Sequence, residues 1–203
     1  SAAFRLPGFG PGLFAALTME STEPPFAYAR WGNPTARALE AKLAALEGGE
    51  AALALSTGMA AVSALCFAFL NSGDHVVASD VCYAGSVELF GVHLPRQGIE
   101  VSLVDTSDLR QVREALRPNT RLIYVETPAN PILRIGDIPA IAVAAREAGA
   151  LLAVDSTWAT PCLQRPLALG ADYVIHSATK YLNGHGDALG GAIVGPAAGL
   201  HRI

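Results

Sequence analysis

Lysine is nearly absent from this sequence: 203 residues contain two, Lys42 and Lys180. Lys42 lies in ALEAKLAALEGG, an amphipathic helical pattern whose wet face accounts for a charge. Lys180 has no such account. It follows the apolar run ADYVIHS, comes after two hydroxyl residues and precedes a glycine-rich segment, in HSATKYLNGHGD. Charge of either sign is scarce, at 16% of residues, with a formal net charge of -4 and a pI near 5.7. The twelve arginines are scattered. With no basic field, nucleic acid is excluded as a partner and a small-molecule ligand is expected. Long apolar runs are missing as well. MAAVSALCFAFL falls short of the roughly 20 residues of a membrane helix, and no charged-then-apolar leader opens the sequence, so a soluble protein with no membrane partner is expected. The three cysteines, Cys66, Cys82 and Cys162, are odd in number and lack metal-ligand spacing. That excludes a disulfide framework and points to reduced thiols in the cytoplasm, with Cys66 as core filler.

What is present is apolar and periodic. A hydrophobic content of 51% allows a sizeable core and one large domain. NPTARALEAKLAALEGG predicts a helix with Asn33 as N-cap, Pro34 in the first turn, Leu39, Leu43 and Leu46 on the apolar face, and Gly48 as the stop. Short apolar runs then read as buried strands: AALALS, HVVASD, IEVSLVD, RLIYVET, ALLAVDS and DYVIHS. Helical patterns in GMAAVSALCFAFLNSG, DLRQVREALRP and DIPAIAVAAREAGA supply crossovers. The fold class is α/β, a mostly parallel sheet with helices on both faces. Residues 1–27, rich in Gly and Pro and weakly periodic, read as an extended arm, and 28–203 as the α/β domain.

In such a sheet, ligands bind beyond the carboxyl ends of the strands. Those ends are polar here: Ser56-Thr57-Gly58-Met59, Glu126 with Asn130 soon after, Asp155, and Ser177, Thr179 and Lys180. Each alone is more simply a cap or a turn. Together they suggest more. Gly58 opens a helix just after a strand, offering backbone N–H groups and a positive dipole end to a phosphate, and Ser177 and Thr179 add hydroxyl donors. Asp155, ending an apolar strand, needs a cation or a protonated ring nitrogen beside it. A lysine, a phosphate cup and a strand-end carboxylate are what pyridoxal 5'-phosphate (PLP) requires.

The sequence also resembles the PLP-dependent enzyme family of cysteine and methionine metabolism, which includes cystathionine γ-synthase, cystathionine γ-lyase, methionine γ-lyase and the O-acylhomoserine sulfhydrylases. The resemblance runs from about Phe26 to Gly195 and rests on YARWGNPT, STGMAA, DVCYAGS, ETPANP, AVDSTWATP and HSATKYLNGHGD, in the family's order. It implies a PLP-dependent transferase-like large domain. Lys180 is then the Schiff-base lysine, Asp155 the partner of the pyridine nitrogen, and Tyr83 the aromatic residue stacked on the ring. Asn130 bonds the phenolic oxygen; Gly58, Met59, Ser177 and Thr179 make the phosphate cup. Tyr28 and Arg30, at the base of the arm, match a pair that reaches the neighbouring subunit's phosphate site, Arg being suited to bidentate phosphate recognition. The resemblance therefore implies a homo-oligomer, an arm-sharing dimer and commonly a tetramer.

Family chains are about twice as long, and their C-terminal domain supplies the arginine that grips the substrate carboxylate. The sequence ends at Ile203 without that domain, so an incomplete chain is expected, with doubtful activity of its own. Methionine γ-lyases often carry a cysteine where Gly85 stands; Cys82 is near but not equivalent. Ala84 and Gly85 are expected to leave room for a γ-substituent. The favoured activity is γ-elimination from a sulfur amino acid, giving an α-keto acid, ammonia and a thiol, with Lys180, Tyr83 and Asp155 as catalytic residues. The alternative is γ-replacement on an O-acylhomoserine. From a different class, a non-catalytic phosphate- or nucleotide-binding module would use the same Ser56–Met59 step, but no G-x-G-x-x-G or Walker lysine motif is present. His176, His185 and Asp187 have no metal-ligand spacing, NGHGD reads as a turn, and no metal is expected.

Overall fold

The computed structural model describes residues 3–4, 26–29 and 32–203. The arm expected over 1–27 thus lies almost wholly outside the described residues. Of its ends, Ala3 forms an isolated antiparallel bridge with Tyr28.

Helix α1 (Pro34–Glu47) begins and ends on the expected signals. The Asn33 side chain accepts the Ala36 N–H at 2.8 Å, Pro34 sits in the first turn, and Gly48 closes the helix in the left-handed region, φ 73°. Its buried stripe differs from the expected face. Leu43 is buried, but Leu39 and Leu46 are exposed, and Ala44 and Glu47 go inward instead. Glu47 is the cause: its Oε1 lies 2.6 Å from Nε2 of His176, and both side chains are fully buried. A buried carboxylate with a hydrogen-bonding partner outcompetes a leucine that can stay half wet.

After α1 come β1 (Ala51–Leu55), α2 (Gly58–Phe69), β2 (His75–Ser79), β3 (Glu100–Val104), α5 (Leu109–Ala115), β4 (Thr120–Glu126), α6 (Ile138–Ala148) and β5 (Leu151–Asp155). Between β2 and β3, α3 (Ala84–Glu88) continues through a π-helical turn, Leu89–His93, into α4 (Leu94–Arg96). That segment was not predicted, because its glycines and Pro95 blur the helical period, yet it buries Leu89, Phe90 and Leu94. The chain ends with α7 (Thr160–Leu163), a 3-10 turn over Pro166–Leu169, β6 (Tyr173–His176), β7 (Gly191–Gly195) and α8 (Ala197–Leu200). All six predicted strands are present. β7 is the addition.

The seven strands are ordered β1-β7-β6-β5-β4-β2-β3. Strands β3, β2, β4, β5 and β6 are parallel, and β7 lies antiparallel between β6 and β1. Alternate β4 residues feed opposite faces: Leu122 and Tyr124 join Leu65, Phe90 and Ile175, whereas Ile123 and Val125 join Val112, Ile141 and Val154. The mostly parallel sheet covered on both faces is therefore as the sequence implied. No helix among the described residues is long and apolar enough to cross a membrane.

Register sets the site. Glu126 is opposite Asp155 in the β4–β5 ladder, and Asp155 is opposite Ile175 in β5–β6, so the polar carboxyl ends are level. The start of β7 packs hard against α2: a Cβ at Gly191 would lie 2.0 Å from the Thr57 carbonyl oxygen and 2.9 Å from the Gly58 nitrogen. Since both are backbone atoms, Gly191→Ala is expected to destabilise the fold by about 3 kcal/mol or more. Gly91→Ala, whose added carbon meets nothing within 4 Å, should stay within about 0.5 kcal/mol of wild type. Denaturant unfolding of the two variants measures the contrast.

Candidate active site

The ends of β4, β5 and β6 and the first turn of α2 bound a cleft of about 920 Å³. Gly58 and Ser177 form one wall. A Cβ on Gly58 would lie 2.7 Å from Cβ and 3.0 Å from Oγ of Ser177. Only glycine lets the α2 amino end and the Ser177 hydroxyl close on one point. The result is a concave anion site at the positive end of a helix of 12 residues. Thr57 caps that helix, its hydroxyl accepting the Ala60 N–H at 3.0 Å, and Met59 also lines the cleft.

Ser177, Thr179 and Lys180 arrive on the turn after β6, where the Lys180 N–H donates to the Ser177 carbonyl at 3.1 Å. The Thr179 hydroxyl is tied to Gly190, donating to its carbonyl at 3.2 Å and accepting its N–H at 3.1 Å. Lys180 lies on the exposed rim and is the one Lys or Arg among the described residues lining the cleft.

Across the cleft stand two carboxylates. Asp155 is buried, and its oxygens are fixed from two sides: Oδ1 accepts the Thr157 N–H at 3.0 Å and the Thr157 hydroxyl at 2.6 Å, while Oδ2 accepts the Tyr124 hydroxyl at 3.1 Å. Glu126 is buried beside it. Burial, then the charge of Asp155, pushes the Glu126 carboxyl up to about 7, against the hydrogen bonds it receives from the Asn130 and Tyr83 amides. Burial and the same carboxylates raise the Tyr124 phenol well above its ordinary value and the Cys82 thiol to about 12. Cys82 is therefore a protonated, inert thiol. Two adjacent acids facing a cleft favour a cationic ligand group between them and the lysine.

Tyr83 is half exposed over the cleft, and Asn130 lines it. A Cβ on Gly85 would lie 2.7 Å from Cε1 of Tyr83 and 3.1 Å from Sδ of Met59. The missing side chain at Gly85 thus leaves the place that Tyr83 and Met59 occupy at the cleft wall. Eight of the ten expected site residues line the cleft. Tyr28 does not line it, and Arg30 lies outside the described residues.

Several contributors were not singled out from sequence. Thr157 links Asp155 to the Gly58–Ser177 wall, because its hydroxyl also accepts the Ser177 N–H at 2.8 Å; a Ser/Thr two residues past a strand-end Asp is a readable turn signal. Trp158 and Tyr181, with ring centroids 5.6 Å apart, form an aromatic wall. His176 points away to Glu47, and Asp187 accepts from the Asn183 amide at 2.8 Å within the NGHGD turn. No group of three or more metal-ligating side chains occurs among the described residues.

The sequence profile of Cys/Met metabolism PLP-dependent enzymes matches residues 13–202. Among curated proteins, the chain is 53% identical over 169 residues to a cystathionine gamma-lyase of Bacillus subtilis, covering 83% of this chain and 44% of the relative. It is 50% identical over 170 residues to an L-methionine gamma-lyase of Fusobacterium nucleatum subsp. nucleatum, covering 83% and 43%. Among solved structures, cystathionine gamma-lyase from Lactobacillus plantarum complexed with L-serine superposes with a TM-score of 0.88 at 38% identity, over all of this chain and half of that one. The chain thus spans somewhat under half the length of the curated relatives it matches.

Thr157→Val keeps the shape of the side chain but removes both its hydrogen bonds. Left with an unpaired Ser177 N–H, the variant should lose about 1–3 kcal/mol of stability. Thermal or denaturant unfolding beside wild type checks this, and an unchanged midpoint would refute the linking role.

Proposed function

The chain belongs to the Cys/Met metabolism PLP-dependent enzyme family, and from that premise we propose that its protein is a carbon–sulfur lyase carrying out γ-elimination on a sulfur amino acid. The observation that carries the reading is the convergence of one lysine, two buried carboxylates and a glycine-lined anion cup on a single cleft. This donor set fits PLP. The Gly58–Ser177 cradle suits its phosphate, Asp155 suits a protonated ring nitrogen, and Lys180 is the amine that would bind it covalently, with Tyr83 against its ring and Asn130 at its phenolic oxygen. The Met59 amide would complete the cup, with the Thr179 hydroxyl joining it on turning from the Gly190 carbonyl.

Bound there, PLP supplies an electron sink for charge that develops on substrate carbon. The chain's own residues move the protons. Lys180 Nζ would take the proton from Cα and serve as the base and acid at the neighbouring carbons, assisted by the Tyr83 hydroxyl. Asp155, held by Thr157 and Tyr124, is the carboxylate that would face the ring nitrogen. Trp158 and Tyr181 would give the bound group an aromatic wall. The γ-thiolate leaves as a thiol, and water entering afterwards yields an α-keto acid and ammonia.

The functional unit in this reading is a cytoplasmic homo-oligomer, an arm-sharing dimer that pairs into a tetramer. The arm is residues 1–27 and the cofactor domain 28–203. Three free cysteines support a reducing compartment. Tyr28 and Arg30 serve the neighbouring subunit's phosphate cup, a role consistent with the absence of Tyr28 from the cleft of its own chain.

The full-length enzyme supplied with methionine, cystathionine or homocysteine should release keto acid and ammonia without added thiol. Lys180→Ala should cut turnover by about a thousandfold or more. Product only when a thiol and an O-acylhomoserine are supplied would instead identify γ-replacement, and colourless protein with no amino-acid turnover would defeat the enzyme reading.

Mixed subunits test the sharing of the arm. Arg30→Ala and Lys180→Ala homo-oligomers should each be nearly inactive, while their hybrids regain part of the wild-type rate because one site in each hybrid dimer is intact. Demonstrated subunit exchange without recovery would assign Tyr28 and Arg30 to their own chain.

A further inference from the structure

Glu126 has no assigned task in the proposed chemistry, yet it is one of the most constrained side chains in the cleft. Its carboxylate is buried, with 4% of the residue exposed. The two oxygens accept different backbone donors: Oε2 takes the Tyr83 N–H at 2.8 Å, and Oε1 takes the Asn130 N–H at 2.8 Å. Tyr83 sits in the loop after β2, and Asn130 in the loop after β4. One carboxylate therefore joins two loops distant in sequence. Glu126 is itself anchored, its N–H donating to the Ser79 hydroxyl at 3.2 Å, which in turn lies 2.7 Å from the Thr106 hydroxyl.

An ionised carboxylate accepts on both oxygens with no competing hydrogen; protonation puts a hydrogen on one oxygen, and an amide replaces one oxygen by an NH2 donor, where a backbone N–H already points. The titratable groups facing Glu126 are Asp155 on β5, Tyr124 on β4 and Cys82 after β2, with Lys180 on the rim of the same cleft. Burial, then the charge of Asp155, pushes its carboxyl up to about 7, so the double clamp is strongest on the alkaline side of that value and is weakened at one oxygen on the acid side.

We propose that Glu126 is a positioning residue: by accepting the backbone N–H groups of Tyr83 and Asn130 at once, it fixes the ring-stacking tyrosine and the asparagine relative to Asp155. The role rests on the reading of the cleft as a PLP site. Catalysis is sensitive to such placement, since a displacement of about 1 Å can cost on the order of a hundredfold in rate.

The test uses full-length holoenzyme, wild type against Glu126→Gln. Borohydride capture at Lys180 and the circular dichroism of the cofactor band are followed along with kcat and KM, as pH crosses 7. The variant should still capture cofactor at Lys180, with kcat reduced about 10- to 100-fold, KM altered by less than about threefold, a weakened dichroic band, and no step in the pH profile near 7. A folded variant that keeps wild-type kcat and the pH step overturns the positioning role alone. Wild type that captures no cofactor overturns the reading of the cleft and this role with it. Should Glu126→Gln not fold, hydrogen exchange of wild type decides: the Tyr83 and Asn130 amides should be protected, and less so below pH 7 after correction for intrinsic rate. Unprotected amides, or protection that ignores pH, would refute the clamp.

Discussion

Everything in the cleft depends on the parallel register of β4, β5 and β6. Because Glu126 faces Asp155 and Asp155 faces Ile175 across the ladders, three strands end level, and the turns just past those ends are delivered to one place. A slip of one residue would turn each side chain to the opposite sheet face, and no local adjustment could bring the lysine turn back to the carboxylates. Fully buried β4 and β6 side chains on both faces hold that register. The site is thus a by-product of core packing in the middle of the sheet.

The electrostatic cost of the arrangement is concentrated at one point. Two acids sit side by side in a buried setting, and their oxygens are met by hydrogen bonds: Thr157 and Tyr124 at Asp155, two main-chain amides at Glu126. Uncompensated negative charge of this kind is unfavourable to the fold and favourable to a cationic ligand. Thr157 then couples the acid side to the anion cup through Ser177, so the two ends of the site share one hydroxyl.

Much of this was legible in the sequence, for physical reasons that differ from element to element. The caps of α1 are local chemistry, and Asn33, Pro34 and Gly48 read correctly. Six strands were legible as apolar runs. β7 was not, because GAIVG is short and starts with a glycine needed for its contact with α2 rather than for strand propensity. The buried face of α1 was misread because the partner that draws Glu47 inward, His176, lies 129 residues away. Lys180 and Asp155 stood out by scarcity and by position; Tyr83 and Asn130 came from resemblance. Glu126 showed only as a strand end, since its clamp is made of main-chain amides that carry no sequence signature.

The pairing of β1 bears on how the chain is made. Its neighbour in the sheet is β7, with Ala51 opposite Gly195 and Leu55 opposite Gly191. During synthesis at about 5–20 residues per second, β1 waits for about 140 further residues and so for roughly 7–30 s before its ladder can close. Over that interval α1 also lacks His176, the group that receives Glu47. Elements made well before β6 and β7 are therefore seated only with them, and AALAL spends that time as an unpaired apolar edge.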